Sequence, residues 1–367
     1  MRPKTLCFIN TNKAWGGGEK WHYEHALLCR DRGYQVCVAA NEQSVLADRL
    51  EGQPGIDLLR LPVGNLSFLN PARLLRLRDH LREHSVDAAI LCLPQDLKLG
   101  GLAARLAGVP DIIYRRGIAV TVRDTALNRF LYGRVLTKLI VNSDETRRRV
   151  LEQNPNLIAP ARIFRIYFGT DVAAYDALPV RPLTTRRGGE VLIGNAARLT
   201  PQKGQNLLIE TAALLKRQSG TPFRVLIAGT GELEGELRAR VRELGLEDVV
   251  EFTGFIEDIK SFYAGLDIFA LPSLWEGFGQ VLSEAMLCRL PVVAWDASSN
   301  PEVVEHGRTG LLCPTGDVAA LAGALAKLME DADLRARMGQ AGRERVIEHF
   351  SLDKTFADFE RCLDARP

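Results

Sequence analysis

The chain has 367 residues, of which 46% are hydrophobic and 25% charged, with a formal net charge of +2. That length suits two domains, and the balance is that of a globular enzyme rather than a disordered or fibrous chain. No apolar run approaches the roughly 18 residues of a membrane span.

Two basic residues at the N-terminus run straight into a strand without the apolar core and cleavage site of a secretory leader. The seven cysteines are scattered and form no Cys-x-x-Cys pair, which argues against a disulfide framework or a zinc site. A cytoplasmic protein with reduced, mostly buried cysteines is therefore expected.

Strand and helix signals alternate from the start. Apolar runs at Leu6–Asn10, Tyr34–Ala40, Asp57–Val63, Val86–Leu93, Ile112–Tyr114 and Leu139–Asn142 read as buried parallel strands. Helical periodicity fills several gaps, as at Pro71–His84 and Leu97–Ala107. The first βα turn carries Gly16-Gly17-Gly18-Glu19 ahead of a helix expected near Lys20. Three glycines let the backbone approach a ligand and offer free N–H groups at a helix start. The spacing is not Gly-x-Gly-x-x-Gly, and Asn41 rather than an acid ends the second strand, so a dinucleotide site is poorly supported. His22 and His25 are three apart on the same helix with no further ligand nearby, and the six histidines show no metal-ligand spacing. A structural or surface role is expected for both.

Charge is uneven. Residues 1–172 carry 25 Lys+Arg against 17 Asp+Glu, a balance of +8, and the remainder carries 22 against 28, a balance of −6. Basic clusters lie at Arg73, Arg76, Arg78 and Arg82, at Arg115, Arg116 and Arg123, and at Arg147–Arg149. The last reads as a solvated helix face. The others suggest an anionic acceptor, an anionic membrane surface or nucleic acid, and no recognised nucleic-acid module accompanies them.

The first half ends on a strand at Ile163–Phe168, and Pro179–Gly189 is the expected linker. Alternation resumes with strands at Val191–Gly194, Phe223–Ala228, Val249–Phe252, Leu266–Pro272 and Pro291–Ala297. Helices follow at Ala319–Glu330 and Leu334–His349, then a last one capped by Ser351 or Asp353. Most strand ends of this half open on suggestive loops. Arg198 and Lys203 flank a turn, Gly229-Thr230-Gly231 opens a helix, and Gly254-Phe255-Ile256 follows the next strand. The most informative run is Trp275-Glu276-Gly277-Phe278-Gly279-Gln280-Val281-Leu282-Ser283-Glu284. Its first acid stands in a glycine loop and its second inside the following, largely apolar helix, where an unpaired charge is expensive. A glycine loop and a helix N-terminus suit phosphate, and acids suit hydroxyls. The combination fits a sugar nucleotide.

These residues resemble glycosyltransferase family 4, over nearly the whole chain. Glu276 and Glu284 match its E-x7-E motif, Arg198 and Lys203 its phosphate-binding pair, and Gly16–Gly18 its N-terminal glycine loop. The resemblance implies an α/β fold of the GT-B kind, two Rossmann-like doubly wound domains facing a central cleft. Residues 1–172 would form the acceptor-side domain, 173–349 the donor domain, and 350–367 a helix packing back on the first. It implies retaining transfer of a sugar from a nucleotide diphosphate donor, a UDP-sugar first among them, to a glycan or anionic lipid-linked acceptor, as in lipopolysaccharide or surface polysaccharide assembly. Glu284 would hold ribose hydroxyls, Glu276 the donor sugar, and Arg198 with Lys203 the leaving diphosphate, with neither cofactor nor metal. Gly16, Gly17, Gly18, Gly229, Phe255, Ile256, Gly277, Phe278, Gly279, Val281 and Leu282 would line the donor. One departure stands out: where many members place His-Gly, this chain has Arg115-Arg116-Gly117. Arg116 cannot serve as a base, so Arg115 and Arg116 are expected to face an anionic acceptor, with peripheral contact at the inner face of a membrane as part of that expectation. An epimerase of the same fold, or a non-catalytic sugar-nucleotide binder, is the alternative.

Overall fold

Seven strands of the computed structural model, which describes residues 3–181, 183 and 186–365, form one parallel sheet. They are β1 Thr5–Asn10, β2 Gln35–Asn41, β3 Ile56–Leu61, β4 Ala88–Leu91, β5 Asp111–Arg116, β6 Lys138–Val141 and β7 Ile163–Arg165, in the order β3-β2-β1-β4-β5-β6-β7. Six more form a second parallel sheet: β8 Val191–Ala196, β9 Phe223–Ala228, β10 Val250–Gly254, β11 Ile268–Leu271, β12 Val292–Trp295 and β13 Gly310–Cys313, in the order β10-β9-β8-β11-β12-β13. Strands β1, β4, β8 and β11 are buried at every position. Helices on both faces remove them from water, which is why they read as continuous apolar runs. In each sheet the order reverses beside the first strand, and ligands of such folds gather at the carboxyl ends there.

The chain divides into two units, Met1–Tyr167 with Phe356–Pro367, and Phe168–Thr355. The last helix, Leu352–Asp364, carries the return. Phe356, Phe359 and Cys362 on it are fully buried in the first unit. The Phe359 ring meets Trp21 at 5.7 Å and His25 at 5.6 Å, and Tyr34 donates to Glu360 at 3.3 Å. Each buried ring contributes roughly 1.5–3 kcal/mol.

Several element ends are fixed by side chains. Asn70 accepts from the Arg73 amide at 3.2 Å, and Pro71 opens helix Pro71–Glu83. Ser143 caps helix Asp144–Leu151, whose Arg148 and Arg149 pair with Glu145 at 2.7 and 2.8 Å. That is the solvated face expected of Arg147–Arg149.

Some expectations shift. The first long helix begins at Gly17, not near Lys20, so the glycines form its first turn. Strand β13 was not anticipated: four residues between Thr309 and Pro314 give too short a pattern to read. The expected linker at 179–189 lies inside the second unit, because the chain passes between the units at 167/168 and 355/356; its residues 182, 184 and 185 lie outside the described residues. Its flanks are held, since the Arg181 amide donates to Ser261 at 2.9 Å and Arg186 pairs with Asp267 at 2.7 Å. His22 and His25 are core residues: both are buried, and His25 stacks on Trp21 at 3.7 Å. Burial, with Arg115 nearby, holds His22 well below the ordinary histidine range and lowers His25 to about 3. Six of the seven cysteines are buried and all are free thiols. Among the described residues no helix is long and apolar enough to cross a membrane.

Candidate functional site

In the second unit the site grows from the carboxyl ends of β8 and β11. After β8 the chain makes a tight turn, Pro201–Lys203, closed by Gly204 at φ +65°. A Cβ on Gly204 would lie 2.1 Å from the Pro272 carbonyl, so only glycine lets the two loops meet. Two hydrogen bonds then lock them: the Leu274 amide to Gln202 O at 2.8 Å, and Gln202 Nε2 to Trp275 O at 2.7 Å. This docking brings Lys203 Nζ to 2.5 Å from Glu276 Oε1, with only 14% and 9% of the two side chains exposed.

Glu276 is held from a third strand end. Ser298 and Ser299, after β12, both donate to its carbonyl, at 2.7 and 3.3 Å. Phe278 is 3% exposed, and its ring meets Phe350 edge-on at 5.3 Å, which anchors the glycine-flanked loop. Gly279 at φ +78° turns that loop into helix Gln280–Leu287. Val281 is in the first turn. The Leu282 amide donates to Gly279 O at 2.9 Å, so it closes the first turn rather than offering a free N–H to a ligand. Glu284, one turn on, accepts from the Tyr263 hydroxyl at 3.3 Å, while Tyr175 donates to the Glu284 carbonyl at 3.3 Å. The two acids thus have different company, a lysine for one and a buried phenol for the other.

Arg198 lies on the β8 loop with its side chain exposed and, among the described residues, without an ion pair or side-chain hydrogen bond. Its carbonyl accepts from Gln205 Nε2 at 3.0 Å. Gly229 packs under this loop: a Cβ there would lie 2.0 Å from Ala197 O. Ser273, Ser283 and Asn300 add buried polar atoms with no hydrogen-bond partner among the described residues. Phe255 is 76% exposed and Ile256 partly buried after β10. Together these give a polar floor, a cation pair and two acids at adjoining strand ends.

In the first unit, Gly16 caps helix Gly17–Asp31, and a Cβ on Gly18 would lie 3.1 Å from Cys92 Sγ. Asp96 was not singled out from the sequence. It is fully buried at the start of helix Pro94–Ala107, where it accepts from the Thr11 hydroxyl and the Leu93 amide and ties β1 to β4. Burial raises it to about 7. The two arginines ending β5 part company. Arg115 is 4% exposed, with its guanidinium 5.0 Å from the Trp21 ring, and burial holds it below the ordinary arginine value. It packs against Trp21 and, unlike the equally buried Arg116, does not line the cavity described next, which corrects its expected place beside Arg116. Arg116 donates to Val120 O and lines a cavity of about 470 Å³ with Lys98, Tyr114, Ile118 and Arg123.

Two doubly wound parallel sheets, with the candidate residues at strand carboxyl ends, define the GT-B class of fold. The "Glycosyltransferase Family 4" model matches residues 15–174, and the "Glycosyl transferases group 1" model matches residues 181–345. Each half of the chain thus matches a glycosyltransferase family model, the first that of family 4. N-acetyl-alpha-D-glucosaminyl L-malate synthase of Bacillus anthracis is 35% identical over 137 residues, 37% of this chain and 36% of that protein. The amylovoran biosynthesis glycosyltransferase AmsK of Erwinia amylovora is 42% identical over 179 residues, 46% of this chain and 44% of its own. The matches thus span less than half the length of these relatives. The crystal structure of HepE from Anabaena in complex with UDP has the same fold, with a TM-score of 0.83 at 24% identity, covering 98% of this chain and 99% of that one.

Proposed function

We propose that the protein transfers a sugar from a nucleotide diphosphate donor, a UDP-sugar, to a glycan or lipid-linked acceptor of surface polysaccharide or lipopolysaccharide assembly. The observation that carries this reading is the Lys203–Glu276 pair beside the unpaired Arg198. Two cations at one strand mouth match a diphosphate, and Arg adds bidentate geometry to the point charge of Lys. Glu276 compensates Lys203 within the protein, and the diphosphate brings that lysine a second anionic partner. The choice of uridine rests on the UDP-bound relative of the same fold.

Each residue then has a defined task. Arg198 and Lys203 stabilise the negative charge that develops on the departing diphosphate, without calling on a metal. Glu276 accepts hydrogen bonds from the donor sugar. Glu284, oriented by Tyr263, accepts from the ribose hydroxyls. Glu276 is committed to hydroxyl binding and to Lys203, not to attack on the anomeric carbon. Retention of configuration therefore falls to the donor and acceptor themselves.

The acceptor reading rests on the Arg116 cavity. Its cations Lys98, Arg116 and Arg123 stand among the apolar side chains of Ile118, Val120 and Leu127. That mixture suits an anionic headgroup on an apolar carrier. Exposed Leu66, Leu69 and Leu75 beside Arg73 and Arg76 would let the first unit touch an anionic cytoplasmic membrane face.

The test is a donor screen. The protein is incubated with UDP-, GDP- and ADP-sugars, with and without acceptor extracts, and nucleotide diphosphate release is measured. Release of UDP that depends on acceptor supports the reading. Epimerised donor without release would assign an isomerase instead, and no release under any condition would sink the transferase.

A further inference from the structure

We infer that the first unit contains a thiolate–imidazole site for a zinc-class divalent cation, built from Cys7, Cys37 and His80 and completed by His84. Strand register assembles its floor. Cys7 on β1 is opposite Cys37 on β2, and Cys37 is opposite Asp57 on β3, so the three side chains form one row across the sheet. Helix Pro71–Glu83 covers that face through Leu77 and Leu81, in the same apolar cluster as both cysteines. Its His80 and, just past its end, His84 are four residues apart and point the same way, with ring centroids 4.4 Å apart.

The donor atoms converge. Those of Cys7, Cys37 and His80 all lie within 4.8 Å of one another, and so do those of Asp57, His80 and His84. Tetrahedral zinc with Zn–S of about 2.3 Å and Zn–N of about 2.0 Å places its ligands roughly 3.3–3.8 Å apart. Both sulfurs are on fully buried residues, and His80 is 8% exposed. Its Nε2 has no hydrogen-bond partner among the described residues. An orphaned imidazole nitrogen next to two thiols is what a metal would satisfy, since leaving a buried polar atom unpaired is unfavourable.

The outer shell is also in place. His84 Nδ1 is fixed against the His80 carbonyl at 2.9 Å, and its Nε2 lies 3.4 Å from the exposed carboxylate of Asp57, on the outer side of the cluster. A second ring nitrogen anchored in this way is typical of metal-ligating histidines. Asp57, His84 and Ser85 line the wall of an open cavity of about 760 Å³, so the His84 end of the cluster borders open space. Binding would release the two thiol protons to solvent and pin the helix to β1, β2 and β3. Cys7 lies three residues, about 10 Å of strand, before the carboxyl end of β1. The role is therefore structural, remote from the glycine loop.

The test uses the full chain, reduced and stripped by chelator, titrated with Co²⁺ and then Zn²⁺. One equivalent of Co²⁺ should give thiolate charge-transfer absorption with intense tetrahedral d–d bands, and Zn²⁺ should displace it and raise Tm. Cys7→Ser or Cys37→Ser should weaken or remove the charge-transfer band. His80→Gln and His84→Gln should each weaken binding by at least about tenfold. Cys288→Ser, at a partly exposed thiol elsewhere, should leave binding unchanged. If a cysteine variant fails to fold by circular dichroism, the two histidine variants decide. No thiolate–Co²⁺ band in the unmodified chain, or unaltered affinity in both His80→Gln and His84→Gln, would overturn the site.

Discussion

Lys203 Nζ lies 2.5 Å from Glu276 Oε1, and neither side chain is more than 14% exposed. A nearly buried ion pair is a poor source of net stability, because desolvation offsets most of the attraction. Its presence at the mouth of two adjoining strands is better accounted for by binding. On the proposed function, the pair holds a cation in place for a diphosphate and an acid in place for a sugar. Loss of either partner leaves the other charge uncompensated.

Removing the cation should weaken nucleotide binding, and it also leaves the Glu276 carboxylate unpaired. Lys203→Ala is expected to weaken UDP affinity about 10- to 100-fold, as for loss of a charged hydrogen bond worth roughly 1.5–3 kcal/mol. Isothermal titration measures it. Unchanged affinity would remove Lys203 from the donor site.

The phenol behind Glu284 offers a milder probe. Tyr263→Phe deletes only the hydroxyl that bonds Glu284 at 3.3 Å. A neutral hydrogen bond of about 1 kcal/mol predicts a loss of nucleotide affinity of roughly fivefold. Glu284→Ala should cost more than Tyr263→Phe, and the reverse order would contradict the role given to Glu284.

Acid should unfold the first unit through its buried histidines. His25 titrates near 3 in the folded chain, and His22 is also well below its ordinary value. In the unfolded chain both bind protons near pH 6.5. Between about pH 6.5 and 3 the unfolded state therefore holds more protons, and stability falls as pH falls. The slope is about 1.4 kcal/mol per pH unit for each histidine. His25→Phe should flatten the pH dependence of urea unfolding, and a profile identical to the parent's would refute this assignment.

The Arg224–Glu190 pair is 5% and 6% exposed, at 2.8 Å. Arg224→Ala strands a buried carboxylate and is predicted to destabilise the chain by about 3–5 kcal/mol. A loss below about 1 kcal/mol in denaturant titration would show that water reaches Glu190.

The doubly wound architecture was legible because parallel strands buried on both faces are continuous apolar runs, as at β1 and β8. Strand β13 was not, since Gly310–Cys313 is too short to carry a period. The site residues were legible as loops at strand ends, where Gly204 and Gly279 signal turns. Their company was not. That Lys203 meets Glu276, 73 positions away, follows from Gly204 packing against Pro272, which no local pattern records. Asp96 escaped notice because a lone acid at a helix start looks like an ordinary cap. His80 and His84, four apart on a periodic helix, carry no metal signal by themselves. Their sulfur neighbours come from strand register, which sequence does not display.

The most direct measurement is acceptor-dependent UDP release from a UDP-sugar, by the unmodified chain and by Glu276→Ala. The account predicts release by the former and a loss of turnover of at least about 100-fold in the latter, the scale seen when a group stabilising the transition state is deleted. Equal release by both proteins would contradict it.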